Sequence, residues 1–260
     1  MNIRVIFLLV IVFFLTACHN NEDAKNIIGN TIEAIDCVET VKYNQLLVRG
    51  NTQQPALNKT NQRHFVYSRL EKDSITGAKA HIYFLDDATV FHEDIYDGQK
   101  LIRKHNEDST ARIYDLVQFP GLKKQHFWGK TTPWVIQYML RYALNNREYY
   151  KYQIGQDTMI NAKECYTVKT ILDGMALMPG FNTFIKDANR VETMILYVDK
   201  NTFYPQTMRL ETYFKHEPQV HYFTDHRFTD IVLNPDLREM FFSVSDSLLK
   251  GYDVTMVEPK

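Results

Sequence analysis

Three cysteines in 260 residues, at positions 18, 37 and 165, are too few and too widely spaced for a CxxC redox pair or a cysteine-built zinc site. Net charge is equally small. Thirty Lys and Arg against 31 Asp and Glu leave −1, so no basic surface argues for a nucleic-acid partner. No apolar run reaches the roughly 20 residues that cross a bilayer as a helix; the run from Val5 to Leu15 stops at eleven. The GxxxxGK[ST] loop, the GxGxxG turn, the GxSxG elbow and the HExxH pair are all missing. His216, His221 and His226 recur at five-residue steps, which do not converge on a metal, and read as surface or cross-strand side chains. In Asp86-Asp87 and Glu93-Asp94, neighbours point to opposite faces of a strand, so neither pair makes an acid/base couple; solvated turns are the simpler reading. The chain is therefore expected to have no catalytic residues, no metal and no cofactor.

What the chain has instead is strand periodicity. Hydrophobic residues make up 45% and aromatics 13%, the latter leaning towards strands. From Glu148 to Val232, apolar and polar residues alternate. Tyr150, Tyr152 and Ile154 alternate with Lys151 and Gln153, Tyr166 and Val168 with Thr167 and Lys169, and Met208 and Leu210 with Arg209 and Glu211. A period of two gives each strand a dry face and a wet face, and short connections make the sheet antiparallel. Earlier runs at Val41 to Val48, Gln62 to Glu71, Ala80 to Leu85, Thr89 to Tyr96, Gln99 to His105 and Ala111 to Val117 read as a meander, with Asp97-Gly98 as a type I′ hairpin.

Two helices interrupt the strands. Ala24 to Val41 carries Ile28, Ile32, Ile35, Val38 and Val41 on one stripe, suited to covering the dry face of the sheet. Midway, Thr132 is an N-cap before Pro133 at the first helical position, and Val135, Ile136, Met139, Leu140, Ala143 and Leu144 form the apolar face. Leu172 to Phe184 is too broken by Gly174, Pro179 and Gly180 for a central strand, and too apolar for an ordinary loop. Asn234-Pro235 reads as the cap of a short helix through Phe241, and Val254 to Val257 as a last edge strand.

The first residues are a targeting segment. Arg4, the apolar run and Leu15-Thr16-Ala17-Cys18 resemble a bacterial lipoprotein signal. The resemblance implies removal of residues 1–17, lipidation of Cys18 and a membrane anchor held by several acyl chains; the alternative is an ordinary secretory signal with an incidental cysteine. Residues 18–23 then form a tether and 24–260 a single domain. Glu22-Asp23 resembles the acidic export signal of Bacteroidetes-type lipoproteins, although a solvated linker reads equally well. No aspartate follows Cys18, which favours the outer membrane over inner-membrane retention. Outside the inner membrane a Cys37–Cys165 bridge is allowed, and the sequence leaves it open.

A lipobox, a helix, a strand meander, a midway helix, more meander with a Val198-Asp199-Lys200 turn and then Asn-Pro is an order that resembles the lipoprotein-localisation carriers LolA and LolB over nearly the whole mature chain. The resemblance implies a mainly β (α+β) fold: a half-open antiparallel β-barrel whose N-terminal and midway helices cover the concave face, with room for acyl chains. Independently, too few helices to fill the concave side leave either a packed core or a cavity. The residues expected to line such a cavity are Ile28, Ile32 and Ile35, Trp128 and Trp134, and Met175, Leu177, Met178, Phe181 and Phe184, whose adaptable side chains suit a mouth for variable chains. The alternative at each is plain core packing. The expected function is binding or transfer of a hydrophobic envelope ligand such as a lipid or lipoprotein acyl chains. The rivals are a non-catalytic interaction module with an exposed apolar patch and an envelope protein partner, and an enzyme with a polar cleft.

Overall fold

The computed structural model describes residues 21–73, 77–119, 121, 132–178, 183–237, 239–243 and 246–258. Helix α1 covers residues 21–36. Strands β1 (Thr40–Asn51), β2 (Lys59–Arg69), β3 (Ala78–Asp86), β4 (Thr89–Tyr96), β5 (Lys100–His105) and β6 (Thr110–Asp115) follow. Helix α2 (Pro133–Asn145) precedes β7 (Tyr150–Ile154), β8 (Thr158–Ile160), β9 (Lys163–Met178), β10 (Thr183–Asp199), β11 (Pro205–Phe214) and β12 (Glu217–Leu233). A 3-10 turn (Glu239–Phe242), α3 (Asp246–Leu249) and β13 (Asp253–Val257) end the described chain.

All thirteen strands join one open sheet in the order β13-β6-β5-β4-β3-β2-β1-β12-β11-β10-β9-β7, with β8 on β9. Every pairing is antiparallel except that of the edge strand β13 with β6. This is the mainly β, half-open barrel expected, with α1 and α2 on its concave face. The concave side chains follow the period of two. Val41, Tyr43, Gln45 and Leu47 of β1 face the same way as Phe65 and Tyr67 of β2, Ile82 of β3, Val168 of β9, Leu196 of β10, Met208 of β11 and Phe228 of β12. Tyr43, Phe65 and Tyr67 stack with ring centroids 5.2 to 6.0 Å apart, and α1 buries Ile28, Ile32 and Ile35 in the same core. A smaller apolar cluster on the convex side, Ile95, Ile102 and Ile113, is covered by Leu248 and Leu249 of the C-terminal segment.

Several local expectations are corrected. The first helix ends before Val38, and Val41 belongs to β1. The reason lies far away in sequence. Asn234 accepts from the Glu39 and Thr40 amides (2.8 and 3.3 Å) and donates to the Cys37 carbonyl (3.1 Å), so its side chain terminates α1 rather than capping a helix of its own. Asp97-Gly98 is not a type I′ turn: of its two residues only Gly98 has positive φ, and Asp97 Oδ1 instead accepts from Gln99 and Lys100. Positive φ at both central residues occurs at Asp87-Ala88 and Asn161-Ala162, which link β3 to β4 and β8 to β9. Leu172 to Phe184 is strand over much of its length, since β9 runs through Met178 and β10 starts at Thr183. Gly174, at φ +73°, absorbs a wide bulge in which β10 leaves its register with β9 between Lys186 and Val191. Glu93 and Asp94 lie inside β4, not in a turn, and His226 is buried. Cys37 is exposed and Cys165 buried under β8, and both are free thiols.

Candidate hydrophobic ligand site

Helix α2 shapes the concave face. Thr132 Oγ1 accepts from the Val135 amide (3.0 Å) and Pro133 fills the first helical position, so the helix starts where the sequence indicates. Gln137 Nε2 donates to the Ile32 carbonyl (2.9 Å), which ties α2 to α1. At the far end the Tyr152 hydroxyl donates to the Ala143 carbonyl (2.6 Å), so β7 holds the helix C-terminus down. The N-terminal half packs tightly: Trp134 meets Tyr67 edge-on, while Ile136 and Leu140 are fully buried.

Towards its C-terminus α2 also borders a hollow. Between Met139 and Ala143 of the helix and the concave residues of five strands lies a cavity of about 320 Å³. Its apolar part is Leu172 of β9, Met194 of β10 and Leu210 of β11; Tyr150 of β7 closes one side, and burial pushes its hydroxyl pKa well up. Its polar part includes Arg190, Glu192, Glu211, Thr212, Tyr222 and Thr224, with Glu211 paired to Arg209 (2.6 Å). Arg190 Nη2 donates to Glu192 Oε1 (2.5 Å). The volume sits at the low end of small-molecule sites, roughly 300–1,000 Å³. A second hollow on the opposite face, of about 430 Å³, mixes Met159, Ile160 and Phe228 with Arg209, Asp225 and Arg227, whose charges are already engaged in ion pairs at 2.6 to 2.9 Å.

The residues singled out from sequence divide into three sets. Ile28, Ile32, Ile35 and Trp134 are core and do not line the cavity. Phe184 lies beside it, with ring centroids 4.9 Å from Tyr149, 5.5 Å from Tyr142 and 6.3 Å from the lining residue Tyr150, whereas Met175 stands on β9 beyond Gly174. Cys18, Trp128 and Phe181 fall outside the described residues, as do the side chains of Leu177 and Met178. The residues missed, Thr170, Arg190, Glu192, Met194, Leu210, Thr212, Tyr222 and Thr224, carry the period of two of the dry face, but Thr, Glu and Arg among them weaken its apolar signal.

Ionisable groups also cluster elsewhere. On the convex side Glu93 meets His81 (3.0 Å) and Lys104 (3.1 Å). Burial raises its carboxyl pKa, but those two hydrogen bonds outweigh it and bring it down to about 2. Among the described residues no three His, Cys, Asp or Glu side chains group to hold a metal, and no helix is long and apolar enough to cross a membrane.

No family model matches the chain, and no curated protein matches its sequence. Among solved structures it is similar to the Mycobacterium tuberculosis lipoprotein LppX, at 6% identity and TM-score 0.49, over 84% of this chain and 98% of that one. It is similar to LprF from Mycobacterium bovis at 10% identity and TM-score 0.39, over 83% and 95%. It is also similar to a LolA superfamily protein from Nitrosomonas europaea, at 11% identity and TM-score 0.34, over 86% of this chain and 98% of that one.

Proposed function

We propose that this is a non-catalytic, lipid-anchored envelope protein that binds a hydrophobic ligand, a lipid or the acyl chains of a lipoprotein, in the concave cavity beneath α2, and carries or hands over that ligand. The cavity itself supports the reading: α2 is held at both ends yet leaves a hollow with an apolar wall of Met139, Ala143, Leu172, Met194 and Leu210. An interior built only for stability closes such space, because each void forfeits packing contacts. Residues 1–17 as a signal, Cys18 as the lipidated residue, residues 24–260 as one domain and the outer membrane as the location complete the reading, and rest on the N-terminal sequence.

The test is native mass spectrometry with lipid extraction on protein purified from bacterial cells. Lipid that co-purifies with the native protein, and is lost when Leu210→Trp fills the hollow, supports the assignment. A clean apo mass with no uptake of a fluorescent fatty acid would sink it. One observation favours the interaction-module reading: Tyr138, Tyr149, Ile185 and Tyr222 are exposed on the elements bordering the cavity. If the apo result is obtained, that rim becomes the surface to test against envelope proteins.

A further inference from the structure

The cavity has a direction. Its apolar wall lies under α2, at Met139, Ala143 and Leu172, and its polar end is built by Arg190 with Thr212 and Thr224. Arg190 is the last of the β10 residues, 187–190, that leave the β9 register between Lys186 and Val191, and a bulge of this kind re-aims the side chains in it. Here the side chain lines the cavity. One of its nitrogens, Nη2, is used by Glu192. Its Nε is buried and meets no acceptor. A guanidinium has five N–H donors and no acceptor, and a buried donor left unmet is disfavoured. An acceptor carried by a ligand in the cavity would complete it.

Charge at this end has one sign in excess. Glu192 balances Arg190, but Arg49 lies directly across the β1–β12 pairing from the lining residue Thr224. It shares the concave face with Leu47 and Gln45, as the alternation along β1 requires. Behind desolvation, which lowers the pKa of the concave residues Arg63 and His226 most, its charge lowers both further. Glu211, which also lines the cavity, is paired with Arg209 (2.6 Å), so Arg49 is the cation left over on this face, and the apolar wall under α2 is without charge. A neutral head accepts from Arg190 only through a weaker, uncharged acceptor and leaves the surplus charge unbalanced, and a cation would meet like charge.

We propose that the cavity takes an amphiphile with an acyl chain and an anionic head, a carboxylate or a phosphate: the chain lies against Leu172 and Met194 beneath α2, and the head docks on Arg190, with Arg49 adding positive charge on the same face. The inference rests on the hydrophobic-ligand reading and names its ligand class. Guanidinium is the side chain suited to either head, because its fork of donors matches both oxyanions.

The experiment compares laurate with 1-dodecanol, which share a chain length and differ in head charge, and with inorganic phosphate, by isothermal titration at pH 7.5 and low salt. Laurate is expected to bind at least about tenfold more tightly than dodecanol, as charge-assisted hydrogen bonds outweigh neutral ones. Arg190→Gln should erase that preference by weakening laurate more than dodecanol, while Arg190→Lys should keep part of it. Equal affinity for laurate and dodecanol in the unmodified protein overturns the inference and leaves the hydrophobic-ligand reading standing. So does a preference that survives Arg190→Gln. Inorganic phosphate binding as tightly as laurate would make the site one for a free anion and overturn the amphiphile. Binding of neither laurate nor dodecanol removes this inference together with the reading beneath it.

Discussion

Acid should destabilise this protein through one buried ring. His226 of β12 is almost fully buried between β1 and β11, with Gln45 Nε2 donating to its Nδ1 (3.2 Å). Desolvation first, and then the charges of Arg49 and Arg63, lower its pKa from 6.5 to about 3. Below pH 6.5 the unfolded chain binds a proton that the folded chain refuses, so this contribution is whole above that value and is lost as the pH falls towards 3. At pH 5 the unfolded ring favours the charged form by about 30 to 1 while the folded ring stays neutral, a penalty of about 2 kcal/mol. His226→Met removes the titration, whatever it does to absolute stability. Urea unfolding at pH 7.5 and pH 5.0 should therefore show the parent losing about 2 kcal/mol more than the variant. His64, whose pKa burial also lowers, is present in both proteins and cancels. Glu93, held at about 2, loses its share only as the pH drops through the carboxylate range, below this window. Identical pH profiles for the two proteins would refute a neutral buried ring.

Ala88→Gly should stabilise the fold by about 1 kcal/mol, because Ala88 sits at φ +67° where glycine has no Cβ to clash; chemical denaturation with no gain would remove the turn assignment. Asn234→Ala should cost about 1–2 kcal/mol and raise amide exchange at Glu39 and Thr40, since one side chain serves three backbone groups there. Thr132→Ala should cost about 1 kcal/mol as an N-cap loss, with unfolding in urea as the readout. In native protein a maleimide should label Cys37 at once and Cys165 only after unfolding, because burial first, and the nearby Asp199 charge second, raise the Cys165 thiol pKa.

Local chemistry was legible from sequence wherever it is decided within a few residues. The alternation of Tyr150, Tyr152 and Ile154 identified a strand because successive side chains must point to opposite faces. Thr132-Pro133 located the start of α2 because a side-chain acceptor and a fixed φ are both satisfied there. The one-sided sheet followed, and with it the need for a helical cover. Even the mistakes are local: Gly174 and Pro179 suggested a broken loop, yet β9 crosses Gly174 through a bulge and continues to Met178.

What sequence could not supply is set by partners far apart in the chain. The end of α1 depends on Asn234, nearly two hundred residues away, and β12 lies beside β1 because the strand order turns back after β7. The same applies to the site. Trp134, Ile136, Met139 and Ala143 all belong to one helix, but the first two fill the core and the last two stand over a hollow. Sequence by itself determined the element types, the dry face of the sheet and the N-terminal signal pattern, because periodicity and short-range capping are properties of consecutive residues. Tertiary structure alone decided where the space lies and which charge closes it, because a cavity exists only in the mismatch between two surfaces that the chain brings together.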